Sequence, residues 1–182
     1  MPWSPEAYYV GKVPVILMKS RQDILKEAYR LEKHVEGGFF SEIYSAPFSA
    51  DGRSFAGSIY FLLSDGEVSH FHEIDCDEIW YYHEGCGMKV TVLADGRKEE
   101  FLLGKNVQKG EQAMVLIPKG SIFAAENLEG GGFTFVSCAT VPHFEYAGFR
   151  LVYQEEIREK YPDLYHEVRH LIPELQPGSG GP

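Results

Sequence analysis

The chain has 182 residues, 44% of them hydrophobic and 24% charged, with a formal net charge of −10 at neutral pH. That charge opposes a phosphate backbone, because association would bring like charges together rather than release counterions, so nucleic acid is not an expected partner. The length suits one domain that buries roughly 70% of its unfolded surface without a disulfide or structural zinc.

Cys76, Cys86 and Cys138 form no C-x-x-C pair, which fits a reducing compartment. The stretch from Met1 to Glu6 has no cationic leader, and the apolar run from Val13 to Met18 is too short to cross a bilayer. The expected location is therefore the cytoplasm, with no membrane partner. The acidic residues are spread along the chain and read as solvated surface.

Residues 1–19 contain three prolines and Gly11, which predicts an extended arm. Ser20 and Asp23 make a capping box, and Ile24, Leu25, Ala28, Leu31 and Val35 recur at helical spacing, so a helix is expected over 21–35, stopped by Gly37-Gly38. The arm and helix together take residues 1–36. From Phe39 to Val141 short β-branched and aromatic runs alternate with turn dipeptides, among them Asp51-Gly52, Asp65-Gly66 and Asp95-Gly96. Strands are predicted over 39–46, 55–63, 67–72, 78–83, 88–94, 97–103, 113–117, 121–126 and 133–141, too many short pieces for an open sheet. The expected class is all-β, a sandwich or barrel over 37–150. Two helices, 154–160 and 163–171, divide at Pro162 within a segment 151–175, and 176–182 read as a flexible tail.

The chemistry gathers between Gly66 and Gly85. Side chains alternate along a strand, so His70 and His72 are expected on one face, and Glu78, Trp80 and Tyr82 on one face of the next strand. Two imidazoles and a carboxylate suit either a divalent metal with open coordination positions or a general base oriented by an acid. Tyr44, Tyr60, Trp80, Tyr82 and Phe123 are each more often core than ligand wall, yet together they offer stacking faces and donors for a sugar or planar ring. Arg53 and Arg150 could hold an anionic group, although a surface role is the commoner use. His34, His83, His166 and His170 fall in no constellation.

These residues resemble the cupin superfamily. Gly66, His70-Phe71-His72, Glu78 and Gly85 resemble its first motif, with one extra residue between His72 and Glu78, and Gly110, Pro118-Lys119-Gly120 and Asn127 resemble its second. Phe123 stands where metal-binding cupins carry a further histidine. Ser58 to Leu63, His72, Asp77 to Trp80, Leu103-Gly104 and Val115 to Gly120 resemble more closely an uncharacterised branch, cupin-5, related to vicilin-like storage proteins and to the 3,5-epimerases of rhamnose biosynthesis.

The resemblance implies a cupin double-stranded β-helix, a jelly-roll barrel with flanking N- and C-terminal α-helices, and a homodimer that covers an arm or a sheet edge. It implies a carbohydrate or sugar-nucleotide ligand. An isomerase or epimerase would use His72 as base, oriented by Glu78 or Asp77, with Tyr60 or Tyr82 as proton donor and Tyr44, Arg53, Trp80, Phe123 and Asn127 against the ligand. The alternatives are one divalent metal on His70, His72, Glu78 and His143, serving an oxygenase or a metal-assisted isomerase, and a binding or storage protein without turnover.

Overall fold

The computed structural model describes residues 7–10, 13–16, 19–50, 52–128 and 132–174, so the expected tail lies outside the described residues. Within the arm, β1 (Ala7–Val10) and β2 (Val13–Ile16) pair with each other as an antiparallel hairpin. The helix α1 (Arg21–Ala28) starts as expected, with the Ser20 hydroxyl accepting from the Asp23 N–H at 3.3 Å.

Its end differs from the expectation. Arg30 takes a left-handed φ of 53°, its N–H donates to the Glu27 carbonyl, and the Leu31 N–H reaches the Lys26 carbonyl at 2.8 Å. That hydrogen-bond pair is a Schellman stop, and Leu31 packs beside Leu25 as the apolar contact that accompanies it. Leu31 thus continues the apolar spacing although the helix has ended. The segment that follows becomes β3 (Glu32–Lys33) and a turn that carries His34 and Glu36 into β4 (Phe39–Ser45).

The remaining strands are β5 (Ser49–Ala50), β6 (Arg53–Ser54), β7 (Gly57–Leu63), β8 (Val68–Ile74), β9 (Asp77–Gly85) and β10 (Met88–Ala94). They continue as β11 (Arg97–Leu103), β12 (Met114–Ile117), β13 (Ile122–Asn127), β14 (Thr134–Val141) and β15 (Phe149–Leu151). Two large sheets result, one ordered β11-β10-β13-β8-β15 and the other β12-β9-β14-β7-β4-β3, while β5 and β6 pair only with each other, and every strand pairing is antiparallel. Neighbours such as β10 with β13 and β9 with β14 are far apart in sequence, which is the crossing of a jelly roll. The Asp95-Gly96 turn closes the β10–β11 hairpin with both residues at positive φ, as a two-residue turn of this hand requires.

Alternation places Phe61 and Leu63 between the sheets with Trp80, Val90, Phe123 and Val136. Tyr60 and Leu62 face the other way and pack with Leu25 of α1 and Phe135. On the outer face of the β11-β10-β13-β8-β15 sheet Phe71, Leu93 and Ile122 are covered by Ile157 of α2 (Gln154–Lys160), Val168 of α3 (Tyr165–Val168) and Leu171 of the turn after it. The helix expected over 163–171 is therefore a single α turn followed by a 3₁₀ turn. No helix among the described residues is long and apolar enough to cross a membrane.

Candidate functional site

At one end of the space between the sheets, the inner face is not filled. A cavity of about 260 Å³ opens there, walled by Phe40, Ile59, Phe61, Ile74, Phe144 and Tyr146 and carrying a small set of polar groups. Its mouth is formed by the segment after β14, which the Arg53 side chain holds down: Nε donates to the His143 carbonyl at 2.7 Å while the guanidinium grips Asp75 with two bonds.

On the inner wall His72 is 2% exposed and Glu36 7% exposed. His72 Nδ1 lies 2.7 Å from the His70 carbonyl, which can only accept, so the proton sits on Nδ1. Its other nitrogen, Nε2, lies 3.1 Å from Glu36 Oε2. Two acceptors would repel at that distance, so one proton is held between them, on the imidazole or on the carboxyl. Glu36 Oε1 accepts from the Ser69 hydroxyl at 2.8 Å, and His34 Nδ1 approaches Oε2 at 3.4 Å. Burial works against charge on Glu36, but His72, His34 and Ser69 outweigh it and hold the carboxyl below its usual range.

The turn that delivers Glu36 depends on two glycines. A Cβ on Gly37, at φ 114°, would sit 2.0 Å from the Val68 carbonyl oxygen, and one on Gly38 would sit 2.6 Å from the Phe61 ring. Only glycine lets this backbone pass so close to β7 and β8.

Glu78 enters the same cavity from the start of β9 and is 7% exposed. Burial pushes its carboxyl up to about 7, with the negative charge of Glu36 adding to the effect and the polar hydrogens of Trp80 and Cys138 offsetting part of it. The Trp80 indole N–H makes no well-formed hydrogen bond although it is fully buried. The Cys138 thiol, also in the wall, is held well above its usual range by burial and by the neighbouring carboxylates, which makes it a poor nucleophile. Across the mouth, His143 Nε2 meets Glu42 Oε2 at 3.1 Å, and its ring lies flat on Gly57, where a Cβ would come within 2.5 Å of it.

A model of the family described as Cupin superfamily (DUF985) matches residues 23–152. The chain belongs to this cupin family. An uncharacterised protein of Saccharomyces cerevisiae, YML079W, is 26% identical over 180 residues, covering 88% of this chain and 85% of the yeast protein. The crystal structure of protein SO0799 from Shewanella oneidensis has a TM-score of 0.81 at 35% identity, covering 87% of this chain and all of that one. A hypothetical protein from Leishmania major has a TM-score of 0.77 at 28% identity, covering 84% of this chain and 98% of its own.

Of the residues singled out in the sequence, this cupin brings His72, Glu78 and His143 to the cavity. His70 is turned elsewhere. The pairing of β13 with β8 shifts between Phe123 and Ala125, a bulge that places an extra residue at this point, and His70 Nδ1 donates to the Glu36 carbonyl at 2.8 Å. Among the described residues no group of three or more His, Cys, Asp or Glu side chains is disposed to hold a metal ion. With His70 on a carbonyl and both nitrogens of His72 facing protein acceptors, the four residues expected as metal ligands do not converge on one point.

Tyr60 packs on the outer face of its sheet against Tyr29 and Phe135, and Tyr82 donates to the Gly85 carbonyl at 2.7 Å, about 13 Å along the strand from Glu78. Tyr44 is 52% exposed. Trp80 and Phe123 are core residues, Phe123 lying 4.0 Å from the His72 ring centre and fixing its tilt. Asn127 Nδ2 donates to the Leu63 and Ser64 carbonyls and pins the β7–β8 turn. The sequence reading missed Glu36, Glu42 and the His34 ring, which stands edge-on to Phe40 at 4.7 Å. Gly37-Gly38 was the available signal, since paired glycines mark a close backbone approach as readily as a helix end.

Proposed function

We propose that this cupin is a small-molecule isomerase or epimerase of carbohydrate type, in which Glu78 carries the proton. One observation supports the reading above the others: a carboxyl that burial pushes up to about 7 lines the same cavity as the His72–Glu36 pair, whose members already share a proton with each other. A group half ionised at neutral pH can both take a proton and give it back. The base role expected for His72 passes to Glu78 because both imidazole nitrogens already face protein acceptors.

In the reaction, the carboxylate of Glu78 removes a hydrogen from the carbon next to the substrate carbonyl. The C–H electrons form the double bond of an enediolate, and the carbonyl oxygen takes up the displaced pair. For isomerisation the hydroxyl proton of the deprotonated carbon passes to that oxygen, the oxygen it leaves forms the new carbonyl, and the pair of the double bond takes the proton of Glu78 at the former carbonyl carbon. For epimerisation the proton returns to the first carbon on its other face, which Glu78 reaches once the enediolate has turned over in the cavity. The apolar walls exclude water and keep the carboxyl desolvated. The cavity volume lies below the range of drug-sized sites, which suits a molecule of monosaccharide size and leaves no room for an attached nucleotide.

The test is solvent deuterium uptake at the carbon next to the carbonyl, followed by proton NMR over a panel of unphosphorylated aldoses and ketoses. Uptake with the native protein and none with Glu78→Gln is the expected result. Uptake that survives the substitution refutes the assignment, and binding without uptake in the native protein identifies a binding protein instead.

A further inference from the structure

Resting on that reading of the cavity, we propose that its ligand is a small amine, of amino-sugar type, and that the phosphorylated form of the same molecule is rejected. The lining holds four carboxyl groups, Glu36, Glu42, Glu78 and Glu145, against three imidazoles, and no Lys or Arg among the described residues. With Glu36, Glu42 and Glu145 ionised, the lining is uncharged at most, even with all three imidazoles protonated and Glu78 neutral, and it is negative whenever an imidazole is neutral. An anion therefore meets no net positive charge there.

Neighbouring cations do not change this balance. Arg53 at the rim is bound by both carboxylate oxygens of Asp75 and by the His143 carbonyl. Arg150 is bound by Glu73 and Glu156. A phosphate entering past them would lose water without gaining a guanidinium or ammonium donor.

The walls favour a cation for a second, independent reason. Phe40, Phe144 and Tyr146 line the cavity, with Tyr146 edge-on to Phe144 at 5.1 Å, and aromatic faces attract an ammonium group by their quadrupole. Glu145 and Glu42, both exposed and both in the lining, then act as the entry for positive charge, and Glu78 inside is a carboxyl able to pair with it. The hydroxyls of a sugar would suit the Thr140 hydroxyl in the wall.

Glucosamine, glucose and glucosamine 6-phosphate, titrated into the full-length chain and followed by calorimetry, separate the possibilities. The expected order is glucosamine tighter than glucose by roughly tenfold, no binding of the phosphate ester, and an amine affinity that falls as salt is raised. Glu42→Gln and Glu145→Gln should each narrow the amine-to-glucose ratio severalfold while leaving the thermal midpoint unchanged. Equal or tighter binding of the phosphate ester, a ratio indifferent to both substitutions, or binding of none of the three overturns the inference. Proton exchange on uncharged sugars without charge selectivity would remove this inference and leave the Glu78 chemistry standing, whereas selectivity without exchange would do the reverse.

Discussion

Replacing Glu78 by Gln isolates the cost of ionising a buried carboxyl. Burial raises this group from the ordinary 4.5 to about 7, so the folded state holds its proton more tightly than the unfolded chain does. The associated stabilisation is complete below the unfolded value and is lost as pH rises through about 7. A shift of about two and a half units corresponds to roughly 3 kcal/mol between pH 4 and pH 8. The amide of Gln has the same shape and does not titrate, so its own burial cost is the same at every pH. Urea unfolding of both proteins across that range should therefore give a stability difference that moves in favour of the variant by about 3 kcal/mol as pH rises. Parallel curves would show that Glu78 ionises as it does in water and would remove the basis for its role as the proton carrier.

Glu36→Gln takes the carboxylate from a buried pair and leaves the imidazole of His72 without its partner, and a loss of about 3–5 kcal/mol in unfolding free energy is expected; a loss under about 1 kcal/mol would mean that no proton is shared there. Gly57→Ala drives a methyl group into the His143 ring, which should weaken ligand binding through the displaced His143–Glu42 contact and destabilise by about 1–3 kcal/mol, as thermal unfolding and calorimetry would report. Asn127→Asp replaces two donated hydrogen bonds with acceptors facing the Leu63 and Ser64 carbonyls; a cost of about 1–3 kcal/mol is expected with ligand affinity unchanged, and an altered affinity would bring Asn127 back to the ligand.

The strands of the barrel could be read from the chain because alternation and turn dipeptides are local properties. Ile79 between Glu78 and Trp80, and the Asp95-Gly96 turn, illustrate both. The same alternation assigned Tyr60 and Phe61 to opposite faces but could not say which face was the interior. His70 shows another limit. Its pairing with His72 assumed an unbroken register, whereas β8 carries a bulge that sets two residues, His70 and Phe71, opposite Ala124 alone. Glu36 was hidden by the helix expected through Val35, where Leu31 continued the apolar spacing by packing beneath a helix that had already stopped. His34 and Glu36 in the inner wall thus come from a segment whose local pattern belonged to a different element.

The proton between Glu36 and His72 leaves the pair with the same net charge on either atom, but one arrangement separates charge in a buried site and the other does not. A ligand that favours one arrangement over the other can draw it along the hydrogen bond without recruiting a proton from solvent. Both heavy atoms are sealed from water, so that hydrogen should exchange slowly and give a separate far-downfield resonance. The nitrogen shifts of His72 would then report occupancy of the cavity from the inside, whatever molecule occupies it.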